Sequence, residues 1–160
     1  MRSSRSLRIQ FAALCLIGMS SLVPAASAAD YNSGVTVKIL KKTSQTSNGQ
    51  KISYPQTDKA EVTVMSVELA PGAETGWHMH PLPVYAYVIS GNLPVELDDG
   101  TQLSFGAGDA IIEVVKALHN GKNRGTKPVK LAVFYLGAED TPNVIKPHTP
   151  EKAGAIPPKK

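Results

Sequence analysis

Turn signals divide the middle of this chain into short, β-rich segments. Residues 62–69 alternate in polarity, residues 129–136 are rich in β-formers, and Asp98-Asp99-Gly100 is a hairpin signal between two further segments. Outside the N-terminal region, no long stretch has helical periodicity. Many short strands at this spacing predict an all-β sandwich or barrel.

Three histidines fall on predicted strands of this region. His78 and His80 are two residues apart, and alternate side chains of a strand point to the same face. The pair would therefore project together, as neighbouring ligands of a metal ion must. His119 lies well downstream, at the start of another predicted strand. The sequence predicts a metal site if these three imidazoles meet.

Two blocks of sequence resemble the paired motifs of the cupin family. The first block contains His78, His80 and Gly91, and the second contains Gly108-Asp109, His119 and Asn123. The resemblance covers roughly residues 62–136. It implies a single jelly-roll β-barrel with a divalent metal ion inside, held by the three histidines.

The sequence departs from the family pattern at two places. Val84 stands where cupins have a glutamate ligand, and Val114 and Lys116 replace the proline and glycine of the second motif. Two interpretations keep a metal site. Three histidines alone suit Fe, Ni, Cu or Zn, with Mn a further candidate. Alternatively, Glu113 supplies the carboxylate, as a fourth ligand or as an acid/base group, since strand parity places it on the same face as Ile111.

The predicted interior is apolar, which favours a small, partly apolar substrate. The side chains predicted to line it are Val62, Val64, Val84, Val88, Ile111 and Val133. The resemblance implies a metal-dependent enzyme, dioxygenase-like or an isomerase, lyase or decarboxylase. The alternative is a non-catalytic barrel that binds a small metabolite or a metal. Fold alone does not decide between these functions.

Residues 1–29 have the features of a secretory signal peptide. Three arginines precede an apolar core, and small residues allow cleavage after Ala28 or Ala29. Cleavage would remove Cys15, the only cysteine, and would leave 17 − 3 = 14 basic residues against 13 acidic ones, a net charge of +1. The charge argument for nucleic acid or for an anionic membrane then disappears. The sequence predicts export, in the bacterial case to the periplasm.

The mature chain divides into three predicted segments. Residues 30–61 are N-terminal strands and a linker, residues 62–137 are the barrel core, and residues 138–160 are an irregular, Pro-rich tail. His148 lies in that tail and matches no motif. The apolar segment Val35–Leu40 is predicted to be a strand that crosses to a partner in a homodimer, a state that the family resemblance also implies.

Overall fold

The computed structural model describes residues 33–147. The predicted signal peptide and His148 therefore lie outside the described residues. Residues 33–37 belong to a separate N-terminal unit, and these five residues contain a turn and no strand, whereas residues 38–147 belong to one compact unit. In the described part of the chain, no helix has the length and apolarity that a membrane span requires.

Residues 38–147 fold as two antiparallel sheets. The strands are β1 Ala60–Leu69, β2 Val84–Ser90, β3 Asn92–Leu97, β4 Gln102–Gly106, β5 Ala110–Ile112, β6 His119–Gly121 and β7 Val129–Ala138. One sheet has the order β1-β7-β2-β5 and the other has the order β4-β3-β6. Isolated bridges from Glu74 to Lys122 and from His78 to His119 extend the second sheet beyond β6. The fold is the predicted all-β jelly roll, although its sheets do not close into a continuous barrel.

The core lies between the two sheets, and strand alternation builds it. On β2, Val84, Ala86 and Val88 are buried, whereas Tyr87 on the opposite face is 37% exposed. The predicted orientation of β2 is therefore confirmed. The same alternation on β7 turns four residues inward, which are Val129, Leu131, Val133 and Tyr135.

The predicted orientation of β1 is wrong for two residues. Val62 and Val64 are 63% and 60% exposed, so neither lines the interior. Leu69 is buried and Val67 is partly buried, which makes the odd-numbered face the inward one. Alternate residues of a strand point to the same face, so the inward face of β1 includes Thr63 and excludes Val62 and Val64.

The predicted strand at Val35–Leu40 is absent. Residues 35–59 contain one isolated bridge, between Gln45 and Lys51, and no strand. A strand requires a hydrogen-bonded neighbour, and the first sheet begins only at β1. Residues 30–61 therefore include no complete strand within their described part, and β1 starts two residues before the predicted core boundary.

Gly91 closes the turn between β2 and β3 in a conformation that requires glycine. Its φ is 87°, in the left-handed region. A Cβ at this position would lie 2.9 Å from Cγ2 of Val129, which is too close for any side chain. The glycine that ends the first histidine block therefore has a steric role next to the core.

Candidate metal centre

The three predicted histidines meet inside the fold. Backbone hydrogen bonds join His78 N to His119 O (3.0 Å) and His119 N to His78 O (2.8 Å), so the segment before β2 lies directly beside β6. The possible ligand nitrogens of His78, His80 and His119 all lie within 4.8 Å of one another, and all three residues are buried. The predicted convergence of the imidazoles is confirmed.

Each imidazole is oriented by a backbone carbonyl. Nδ1 lies 2.8 Å from Gly76 O in His78, 2.8 Å from Asn143 O in His80 and 3.0 Å from Ala117 O in His119. A carbonyl oxygen only accepts hydrogen bonds, so each Nδ1 carries the proton. In the neutral rings, each Nε2 therefore has a free lone pair, which is the arrangement that metal-ligating histidines have in proteins.

The structure brings Glu113 to the same cluster. Its Oε2 lies 3.3 Å from His80 Nε2 and 3.3 Å from His119 Nε2. The backbone explains this position, because Glu113 N donates to Val84 O (3.0 Å), next to the paired residues Tyr85 and Ile112. The carboxylate therefore enters the site from the strand that neighbours β2.

The two 3.3 Å distances from the Glu113 carboxylate fit shared ligation better than direct hydrogen bonding. Hydrogen bonds between imidazole and carboxylate are typically about 2.7–2.9 Å long. Two ligand atoms that each lie about 2.1 Å from one ion are roughly 3.0–3.4 Å apart. In addition, Nε2 of His119 is buried and has no hydrogen-bond partner among the described residues. The donor set present, three imidazoles and one carboxylate, fits a divalent transition-metal ion.

Charge coupling within the cluster changes several pKa values. Burial acts to raise the pKa of Glu113, but the neighbouring imidazoles of His119 and His80 outweigh burial and lower it from 4.5 to about 2. Burial acts to lower the pKa of His119, but Glu113 and Ala117 O raise it overall. Burial lowers the pKa of His78. Glu113 is thus ionised, and without a metal ion it favours a proton on His119.

The turn before His119 is strained at Lys116, where the sequence departs from the second motif. Lys116 stands where the family pattern has glycine, and its φ is 55°, in the left-handed region. A lysine in this conformation is strained. The backbone is nevertheless held, because Lys116 N donates to His80 O (2.8 Å). The turn therefore keeps the first and second histidine blocks together without the glycine.

A cavity of about 80 Å³ adjoins the histidines. Its walls include Tyr135 and Thr75, which the sequence analysis did not identify. Tyr135 is 8% exposed and its ring packs against His80, with centroids 5.6 Å apart. Parity on β7 was the available signal, because Tyr135 shares a face with the correctly predicted Val133.

The family comparison agrees with this geometry. A family model described as "Cupin domain" matches residues 65–135, the segment that holds all three histidines. Residues 65–135 are therefore similar in sequence to a cupin domain. No curated protein sequence matches it significantly.

Several solved structures are similar in fold to part of the chain. The polyketide cyclase RemF from Streptomyces resistomycificus has a TM-score of 0.48 at 22% identity, covering 56% of this chain and 63% of that chain. The DMSP lyase DddQ from Ruegeria pomeroyi DSS-3 has a TM-score of 0.46 at 18% identity, covering 56% and 44%. The oxalate decarboxylase of Lactobacillus farciminis has a TM-score of 0.46 at 22% identity, covering 53% and 26%. The match thus spans less than two thirds of each of these proteins.

Proposed function

We propose that this chain is a metal-dependent enzyme that acts on a small molecule. His78, His80 and His119 are its metal ligands. The observation that carries the proposal is the convergence of three imidazoles whose Nδ1 atoms are occupied, together with an ionised carboxylate oxygen 3.3 Å from two of the Nε2 atoms. Electron-rich atoms at this spacing repel one another unless a positive charge lies among them, either a metal ion or, in its absence, a proton on His119.

The ion would be Fe, Mn, Ni, Cu or Zn, all of which accept imidazole and carboxylate ligands. A bound ion of this kind acts as a Lewis acid on a substrate oxygen, and iron also supports O₂ chemistry. The protein's own contribution is to fix the imidazoles through their carbonyl partners and to keep bulk water out with apolar walls. The reaction classes that we propose are dioxygenation, isomerisation, lyase chemistry and decarboxylation.

Metal content tests this proposal. We expect untagged protein exposed to each of these ions to bind one equivalent, measured by mass spectrometry of the elements after removal of free metal. His119→Ala should lose the ion, and the matched control His148→Ala should keep it. A bound-metal content far below one equivalent with every ion would contradict the proposal that the chain is a metal-dependent enzyme.

We further propose that Glu113 is the fourth ligand. Val84 occupies the position of the family's glutamate, and Glu113 N donates to Val84 O across the β2–β5 pair. The two residues are therefore neighbours on adjacent strands, and a carboxylate at position 113 could replace the ligand that other family members carry at the position of Val84. If Glu113 instead acts only as an acid/base group, its replacement by Gln should lower turnover and leave metal affinity unchanged.

A transplant distinguishes these roles. Glu113→Val should weaken metal binding, and Val84→Glu added in the same chain should restore part of it, as measured by calorimetric titration. The single variant Val84→Glu is the control for the effect of burying a second carboxylate. No loss of affinity in Glu113→Val would contradict ligation by Glu113.

We propose that the protein acts after export, with residues 1–29 removed. The support is the sequence pattern alone. N-terminal sequencing of the mature protein from a bacterial periplasmic fraction should begin at Ala29 or Asp30. A chain that retains Arg2 and remains in the cytoplasmic fraction would contradict this localisation.

We also propose a homodimer, supported by the outward face of the first sheet. Val62, Val64, Phe134 and Tyr87 are exposed on that face, and we call these four residues the outer apolar face. The register places Val64 opposite Phe134, so the patch crosses adjacent strands. Exposed apolar patches of this kind often mark protein interfaces. Sedimentation equilibrium should give twice the monomer mass for the wild type and the monomer mass for Val64→Asp.

A further inference from the structure

The cavity beside the histidines has one polar end and an apolar body. The polar end carries the imidazoles, Glu113 and Tyr135, whose ring packs against His80, whereas Leu93, Phe105 and Leu131 are among the residues of the body. The cavity of about 80 Å³ therefore has room for a small ligand.

Charge restricts the ligand further. Among the described residues that line the cavity there is no lysine and no arginine, and Glu113 is its one carboxylate. An ionised group placed against the apolar body would lose its hydration and find no cation to replace it. The polar end differs, because Tyr135 lines the cavity beside His80 and its phenol group is a donor that a ligand oxygen could accept from.

On the basis of the proposed metal site, we propose that the ligand has a single oxygen-donor head group and an uncharged hydrocarbon body. The head group binds at the histidine end and accepts a hydrogen bond from Tyr135. A short monocarboxylate has this chemistry. A dicarboxylate of the same chain length does not, because its second charge would lie against Leu93, Phe105 and Leu131.

Butyrate and succinate test the proposal, because they differ in the group at the far end of the same chain. Both are titrated calorimetrically into zinc-loaded protein whose metal content is measured in the same sample. We expect butyrate to bind at least about tenfold more tightly than succinate. Equal binding, tighter binding of succinate, or no binding of millimolar butyrate to fully loaded protein overturns this inference alone. Protein that takes up no zinc or other candidate metal overturns the proposed function as well.

Tyr135→Phe tests the hydrogen bond within the same proposal. The variant keeps the ring that packs on His80 and removes only the donor. Butyrate should bind roughly two- to tenfold more weakly, the loss expected for one hydrogen bond. Unchanged butyrate affinity at unchanged metal content would exclude Tyr135 from ligand binding.

A separate observation concerns the loop of residues 44–52. Ser47 donates to Ile112 O from both its backbone N (2.8 Å) and its Oγ (2.8 Å). Gln50 donates from Nε2 to Val115 O (3.1 Å), and its Oε1 accepts from Val115 N (3.0 Å). These contacts join segments 65 residues apart and lie on both sides of Glu113.

The loop substitutes for a missing strand neighbour. β5 ends at Ile112, and residues 113–118 are irregular. Gln50 satisfies both backbone groups of Val115, as a paired strand would. On the basis of the proposed metal site, we infer that Gln50 is a positioning residue that fixes the Glu113 carboxylate against the histidines, and that Ser47 fixes the other side of the same segment.

A double-mutant cycle on metal affinity tests this role. Gln50→Ala should weaken metal binding by roughly tenfold, the lower range for residues that orient ligands. In a Glu113→Gln background, the same substitution should have almost no effect, because the group that Gln50 positions is gone. The matched control is Gln45→Ala, an exposed glutamine in the same loop, which should leave affinity unchanged.

The cycle also separates positioning from general support of the fold. An equal loss of metal affinity in both backgrounds, or no loss in the wild-type background, overturns the role of Gln50. If Gln50→Ala does not fold, Ser47→Ala is measured in the same cycle, since it removes one hydroxyl group and keeps the backbone bond to Ile112. The same two outcomes then overturn the role of the loop.

Discussion

The two faces of the four-stranded sheet contain similar amino acids in opposite surroundings. The inward face carries Leu131 and Val133, which are 5% and 4% exposed and lie beside the histidine cavity. The outer apolar face carries Val64 and Phe134, which are 60% and 40% exposed. The difference shows that apolar character alone does not locate the interior. Position relative to the second sheet and to the polar cluster does.

Removal of a large side chain should separate the two faces most clearly. Leu131→Ala leaves a cavity in the core and should lower the free energy of unfolding by about 2–5 kcal/mol. At protein concentrations low enough to keep the chain monomeric, Phe134→Ala should cost less than about 1 kcal/mol, because it then loses mainly cross-strand contacts. Urea denaturation measures both. A loss for Phe134→Ala that grows with protein concentration would show that a partner covers this face.

Metal binding should stabilise the protein, and this stabilisation should depend on the histidines inside the fold and not on the outer apolar face. At a free metal concentration 100 times the Kd, the free energy of unfolding should rise by about 2.7 kcal/mol. His119→Ala should abolish this rise, and Phe134→Ala should keep it. Thermal denaturation with and without metal measures the effect. A rise that survives in His119→Ala would assign the ion to another site.

Acid should weaken the metal-free protein through Glu113. The pKa of Glu113 is about 2 in the folded protein, below its ordinary value of 4.5, because the two imidazoles stabilise its charge. Its contribution to stability is therefore complete above about pH 4.5 and is lost as the pH falls towards 2. Denaturation across this range should show a smaller decline for Glu113→Gln. An equal decline in the free energy of unfolding of the wild type and of Glu113→Gln would contradict the stabilisation of the Glu113 charge by the imidazoles.

The smallest effect is expected from polar replacement on the outer apolar face. Val64→Thr keeps a β-branched side chain, so the free energy of unfolding of the monomer should change by no more than about 0.5 kcal/mol. The sedimentation mass, however, should shift towards the monomer. An unchanged dimer would place the interface elsewhere.

The sequence allowed much of this arrangement to be predicted where two signals agreed. The histidine triad followed from strand parity and from the family resemblance together. On β2, Val84, Ala86 and Val88 share one parity and the two tyrosines share the other, which favoured the orientation that the structure has. Glu113 was assigned to the interior by the same argument, and it lies at the cluster.

β1 shows why the rest could not be predicted in this way. Its apolar residues change parity along the strand, with Val62 and Val64 on one face and Val67 and Leu69 on the other. Glu68 was the signal that could have identified the solvent-facing side of β1, since this exposed, charged residue has the same parity as Val62 and Val64. Contacts such as that of Gln50 with Val115 depend on the path of a loop, which periodicity does not encode.

X-ray absorption of the protein loaded with one equivalent of zinc tests the metal centre most directly. The spectrum should contain the multiple-scattering signature of three imidazoles and a first shell of nitrogen and oxygen atoms. In His119→Ala, the imidazole number should fall to two or the ion should be lost. A wild-type spectrum with fewer than three imidazoles would contradict the convergence of His78, His80 and His119 on a common ion.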